Sequence, residues 1–80
     1  MVVSMLQFII ELPEAYTIKD KRRVIKSLKD RLSGKFKLSV SEVDLQDSIT
    51  YAQIGAALVS NSRRFGETVL QKAVDFVEKE

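Results

Sequence analysis

Four cations stand within five positions, Lys19, Lys21, Arg22 and Arg23, in the stretch "TIKDKRRVIKSLKDRL" at residues 17–32. Grouped Lys and Arg side chains bind anions well, phosphates above all, through charge-assisted hydrogen bonds. They can equally be spent on carboxylates of their own chain. Such carboxylates occur in "SEVDLQD", residues 41–47, where Glu42, Asp44 and Asp47 offer either partners for that cluster or oxygen ligands for a divalent cation. Ser60, Asn61 and Ser62 bring hydroxyls with no base beside them. With zero histidines and zero cysteines, the commonest general base, the commonest zinc ligand and the thiolate nucleophile are all missing. The expectation is a binding protein that is not an enzyme, with no cofactor and no metal.

The charge is segregated along the chain. Residues 19–37 hold nine bases, Lys19, Lys21, Arg22, Arg23, Lys26, Lys29, Arg31, Lys35 and Lys37, against Asp20 and Asp30, a local balance of +7. The remainder carries −5, which leaves a net charge of +2 over 80 residues. That pattern suits a molecule with an anion-facing side.

The elements that must position these groups follow from periodicity. Residues 2–12 alternate, with Leu6, Phe8, Ile10 and Leu12 on one face and Val3, Met5, Gln7, Ile9 and Glu11 on the other, which predicts a strand ended by Pro13. Thr17 with Asp20 three residues later predicts a capped helix start. Ile18, Ile25, Leu28 and Leu32 form its apolar stripe, and Gly34 is the expected left-handed terminator. Lys21 projects onto that stripe, its stem packed and its ammonium reaching solvent or a carboxylate. Lys19, Arg22, Arg23, Lys26 and Lys29 share the opposite, solvated arc.

"KLSVSEVDLQD" reads as a second strand with Leu38 and Val40, then Val43 and Leu45, facing inward, so a bulge is expected near Ser41 and Glu42. "ITYAQIGAALVS" reads as a third strand, paired with the second in a hairpin. "SNSRRFGETVLQKAVDFVEKE" closes as a helix capped by Asn61 or Ser62, burying Phe65, Val69, Leu70, Ala73, Phe76 and Val77.

The order strand, helix, strand, strand, helix, with a right-handed crossover, predicts one α+β domain over residues 1–80 of ferredoxin-like type, both helices on one face and the final strand missing. Its first strand is then an uncharged apolar edge up to Glu11, which calls for a cover. We expect a homodimer through that edge, or a further C-terminal segment.

The same topology sets Lys19, Lys21, Arg22 and Arg23 near Glu42, Asp44 and Asp47, with Glu78 and Glu80 at the same end. Lys19 and Lys21 with Glu42, Asp44 and Asp47 are the expected internal ion pairs. Arg31, Lys35 and Lys37 are expected to share the opposite end with Arg63 and Arg64, which also flank the free N–H groups of the second helix start. The expected anion-binding set is Arg22, Arg23, Lys26, Lys29, Arg31, Lys35, Lys37, Arg63 and Arg64.

The segments "SLKDRL", "KDKRRVIKSL", "SEVDLQD" and "ALVSN" resemble the YlxP-like family of small uncharacterised bacterial proteins, over nearly the whole chain. The resemblance implies a ferredoxin-like domain without established activity, often encoded beside translation and ribosome-maturation factors, whose relatives commonly continue into a final strand. Two functions are expected from the residues together with that resemblance. One is a structured-RNA or ribosome-associated binding module; the other is a protein-interaction domain using the first-strand edge and the open sheet face of Val3, Met5, Ile9 and Val59. "MVVSMLQFIIEL" has no basic leader and is too short to span a bilayer, so the expected location is cytoplasmic, with no membrane partner.

Overall fold

The computed structural model describes residues 1–79. Its elements are β1 (Val2–Glu11), α1 (Ile18–Phe36), β2 (Ser39–Asp44), β3 (Tyr51–Ser60) and α2 (Arg63–Glu78). The strands form one antiparallel sheet in the order β1-β3-β2. This is the ferredoxin-like arrangement without its fourth strand, as the sequence pattern implied.

Alternation explains the sheet. Val2 pairs with Ser60 and Glu11 with Tyr51, so Leu6, Phe8 and Ile10 share the helix-covered face with Ala56, Ile54 and Ala52. Small residues on the central strand let the helices approach, and Ile54 and Leu32 are fully buried, each contributing about 1.5–3 kcal/mol of apolar burial. Ile25, Leu28 and Leu32 from α1 and Ala73 from α2 complete the core with Leu12, Ala15 and Leu38. Leu12 lies just beyond β1, where its N–H still donates to Thr50 O at 2.6 Å before Pro13 turns the chain away.

The start of α1 forms as read: Thr17 Oγ1 accepts from Asp20 N–H at 3.1 Å, and Asp20 Oδ2 reaches back to Tyr16 N–H at 3.2 Å. Its end differs. Gly34 stays inside the helix, and the left-handed cap is Lys37, with φ 58° and its N–H bonded to Ser33 O at 3.0 Å. The next residue, Leu38, must enter the core, and that requirement sets the length of α1.

The bulge also falls later than expected. The β2–β3 register breaks between Glu42 and Asp44, so Glu42 opposes Ile54 on the core face while Val43 turns out to the open face, 46% exposed. There it lies over Gly55, where a Cβ would come within 2.9 Å of Val43 Cγ1.

Ser62 caps α2, accepting from Phe65 N–H at 3.2 Å. Phe65, expected inside, is 57% exposed because Gly66 is the residue that touches the sheet. A Cβ on Gly66 would land on Ser4 Oγ and 2.9 Å from Ser4 Cβ. The first turn of α2 can therefore rest directly on β1 only through a glycine.

Two substitutions of like chemistry should act in opposite directions. Gly34→Ala faces open space within its helix and should stabilise the protein by up to about 1 kcal/mol, the usual helix gain. Gly66→Ala should destabilise it by about 1–3 kcal/mol, since overpacking outweighs that gain. Urea unfolding followed by circular dichroism distinguishes them; a stabilised Gly66→Ala would refute the close-approach account.

Candidate functional site: a buried lysine and an exposed basic arc

Lys21 lies in the first turn of α1 on its buried side and is 2% exposed. Its ammonium has three donors; two carbonyls accept from it and a carboxylate stands beside it as an ion pair. Glu42 Oε2 stands 2.8 Å away, Leu45 O accepts at 2.7 Å, and Ser48 O accepts a second, short bond. Each acceptor is positioned by local structure. The bulge turns Glu42 inward. Leu45 adopts a left-handed conformation, φ 63°, with its N–H held by Asp44 Oδ1 at 2.7 Å. Leu45 O also takes Ser48 N–H at 3.0 Å, and Ser48 Oγ accepts from Tyr51 N–H at 3.2 Å to open β3. Glu42 Oε2 is shielded from solvent and accepts no directed hydrogen bond among the described residues, so the charge of the ammonium 2.8 Å away is its compensation.

Of the expected internal pairs, Lys21 with Glu42 is thus formed, its ammonium in the interior instead of reaching solvent. Lys19, Arg22 and Arg23 make no ion pair among the described residues, Asp44 is used to cap its own turn, and Asp47 is exposed without one. The acidic segment lies close to the basic cluster but answers a single cation.

The outer arc of α1 carries Lys19, Arg22, Arg23 and Lys26 exposed and Lys29 half-buried. Lys26 pairs with Asp30 at 2.9 Å, an exposed contact between successive turns that leaves both groups accessible. A shallow groove between α1 and β2 is lined by Arg22, Ile25, Lys26, Lys29, Ser41 and Glu42. Its acid is the one that Lys21 neutralises from beneath.

The second expected basic region does not assemble at one end. Phe76, near the end of α2, packs edge-on against Phe36 with ring centroids 5.7 Å apart, and Lys35 Nζ stands 4.9 Å and the Arg31 guanidinium 5.9 Å from its ring. Those cations meet the last turns of α2, and its first turn lies elsewhere. About 18–20 Å of helix separates Phe76 from Arg64 and Arg63. Arg63 pairs with Glu67 at 2.9 Å and borders a cleft at the start of β1, while Arg64 is exposed. Lys37 serves as the helix cap. Glu78 joins no ion pair with the opening cluster among the described residues, and Glu80 lies outside them.

The serines before α2 are structural. Ser60 Oγ donates to Ser62 O at 2.8 Å, and Ser62 Oγ is the helix cap. No group of three or more potential metal ligands occurs among the described residues, and no helix there is long and apolar enough to cross a membrane. On the open face, Gln53 Nε2 donates to Gln7 Oε1 at 2.7 Å and Tyr51 donates its hydroxyl to Glu11 Oε2 at 3.1 Å. The one aromatic ring of that face is therefore tied to a carboxylate.

Lys21→Met should cost about 2–4 kcal/mol, below the full penalty for a broken buried pair because Glu42 retains some access to water. Glu42→Gln keeps an acceptor and both carbonyl bonds and should cost about 1 kcal/mol. Denaturant titration of the two variants reads the order, and an equal loss would count against the carbonyl contacts. The hydrogen bond to Glu11, then its charge, hold the Tyr51 phenol above its ordinary value. The neutral phenol is the favoured folded form, so this contribution is present below about pH 10 and lost as pH rises through the folded value. In a Tyr16→Phe background, absorbance at 295 nm should show Tyr51 ionising at lower pH once Glu11→Ala is added.

The model of a family described as "Protein of unknown function (DUF503)" matches residues 3–80. The "Uncharacterized protein YlxP" of Bacillus subtilis (strain 168) is 37% identical over 65 residues, covering 81% of this chain and 71% of the relative. By that match and that identity the chain belongs to the DUF503 family.

Proposed function

We propose that the protein binds structured RNA through the outer face of α1, acting by binding and not by catalysis. The observation that carries this reading is the groove between α1 and β2: its rim is Arg22, Lys26 and Lys29, and the only carboxylate lining it already has Lys21 as its counterion. The arc from Lys19 to Lys29 runs about 15 Å along the helix, long enough to follow several backbone phosphates. Lys19, Arg22, Arg23 and Lys29 have no carboxylate partner among the described residues, so their contacts to an anion displace no existing pair. The open sheet face is a poor base-stacking platform, with Val3, Met5 and Ile9 exposed and Tyr51 beside Glu11. Recognition then rests on backbone shape and charge, with little sequence preference.

Binding of a fluorescent ribosomal RNA hairpin, followed by anisotropy across a salt series, tests the proposal. About four phosphate contacts give a log–log salt slope of about −3. Arg22→Glu/Arg23→Glu should weaken binding at least about tenfold at low salt, while Arg63→Glu/Arg64→Glu, on a separate region of the surface, should change it little. A salt-insensitive interaction, or one indifferent to the α1 substitutions, would remove the α1 face as the site.

A further inference from the structure

Glu42 ends in two oxygens with different surroundings. Oε2 is sealed beneath α1, 2.8 Å from the Lys21 ammonium. The side chain nevertheless keeps 22% of its surface exposed, where it lines the groove between α1 and β2. Oε1 retains contact with solvent, and no donor among the described residues reaches it. The pair as a whole is neutral, because the ammonium below cancels the charge of the carboxylate. What the groove meets is therefore a strong acceptor with little net repulsion for an anion beside it.

The rest of the groove supplies donors. Arg22, Lys26 and Lys29 stand on successive turns of α1 and span about 10 Å of helix. Ser41, the remaining polar residue, donates its hydroxyl to Glu42 O at 3.3 Å. The groove has a volume of ≈ 240 Å³, below the range of about 300–1,000 Å³ usual for pockets that enclose a small-molecule ligand. It suits one edge of a polymer better than a whole metabolite. That edge must carry anions for the rim and, beside them, a neutral donor for Oε1. A cation is a poor fit under three basic side chains, and a phosphodiester alone has no proton to give. An RNA strand carries both groups in alternation, a phosphodiester and a 2′-hydroxyl on each nucleotide, whereas DNA lacks the hydroxyl.

We propose that Glu42 Oε1 accepts a hydrogen bond from a ribose 2′-hydroxyl and is the atom by which this groove distinguishes RNA from DNA. The inference rests on the RNA reading of α1 and adds to it the sugar that is read. Arg22, Lys26 and Lys29 hold the neighbouring phosphates, while Lys21 fixes the carboxylate with Oε1 toward the groove. A strand without the hydroxyl covers Oε1 and returns no hydrogen bond, which is the costly case for an acceptor taken out of water.

The fluorescent ribosomal RNA hairpin is compared by anisotropy, at one low salt concentration, with the same sequence as DNA and as 2′-fluoro RNA. The fluoro strand keeps an RNA-like helix but has no 2′ proton to donate. The wild-type protein should bind the RNA about tenfold more tightly than either analogue, the lower end for a hydrogen bond to a charged group. Lys21→Met/Glu42→Leu removes one base and one acid, so the net charge stays +2, and the preference for RNA over 2′-fluoro RNA should fall toward one. The wild-type comparison needs no variant and stands even if the double substitution fails to fold. Binding that is salt-dependent and weakened by Arg22→Glu/Arg23→Glu, yet equal for RNA and 2′-fluoro RNA, would leave the RNA reading in place and overturn the role of Glu42. So would a preference that survives the double substitution, or one that is lost in Ser41→Ala instead. No binding of any of the three strands would remove both.

Discussion

The fold turns on one ammonium group. Lys21 leaves the first turn of α1 and ends among Glu42 Oε2, Leu45 O and Ser48 O, so a single side chain ties the crossover helix to the bulge and to the β2–β3 turn. An unpaired charge in that position would cost several kcal/mol, a large share of what a domain of this size has to spare. With two carbonyls accepting from it and a carboxylate paired with it, the same charge becomes a specificity device. The turn must hold Leu45 at φ 63° and Glu42 must face inward for the acceptors to converge. A register slip in β2 would rotate Glu42 to the open face and strand the ammonium.

That constraint explains which parts of the structure were legible in sequence. The order of elements, the faces of β1 and the apolar stripe of α1 follow from period and were readable. The details that differ are those in which a tertiary requirement overrode a local preference. Gly34 is the better left-handed cap by propensity, yet α1 runs on to Lys37 because Leu38 must be buried next. Val43 is the better core residue than Glu42, yet Glu42 faces inward because Lys21 is there. Gly66 reads as a helix weakness, and its near contact with Ser4, far away in sequence, has no local signature.

The charges teach a related lesson. Topology placed the acidic 41–47 segment beside the basic start of α1, and proximity alone suggested wholesale compensation. Pairing depends on where side chains point as well as on which segments adjoin. Asp44 is turned to its own backbone by the bulge, and Lys19, Arg22 and Arg23 extend into solvent without an acid partner among the described residues. Burying one lysine with one glutamate therefore removes a carboxylate from the reckoning of the groove while leaving the outer cations in water. The same stagger of the helices that takes Lys35 and Arg31 onto Phe76 separates them from Arg63 and Arg64, so the basic residues act as distinct groups.

The basic groove belongs to one edge of the sheet. It runs between α1 and β2, with Arg22, Lys26 and Lys29 on its rim, whereas β1 lies at the other edge with β3 between them. One basic arc on a small domain makes few phosphate contacts and binds weakly at physiological salt. On the proposed RNA reading, the lysine-supported helix would supply those contacts, and discrimination among RNAs would come from shape, with no base read directly.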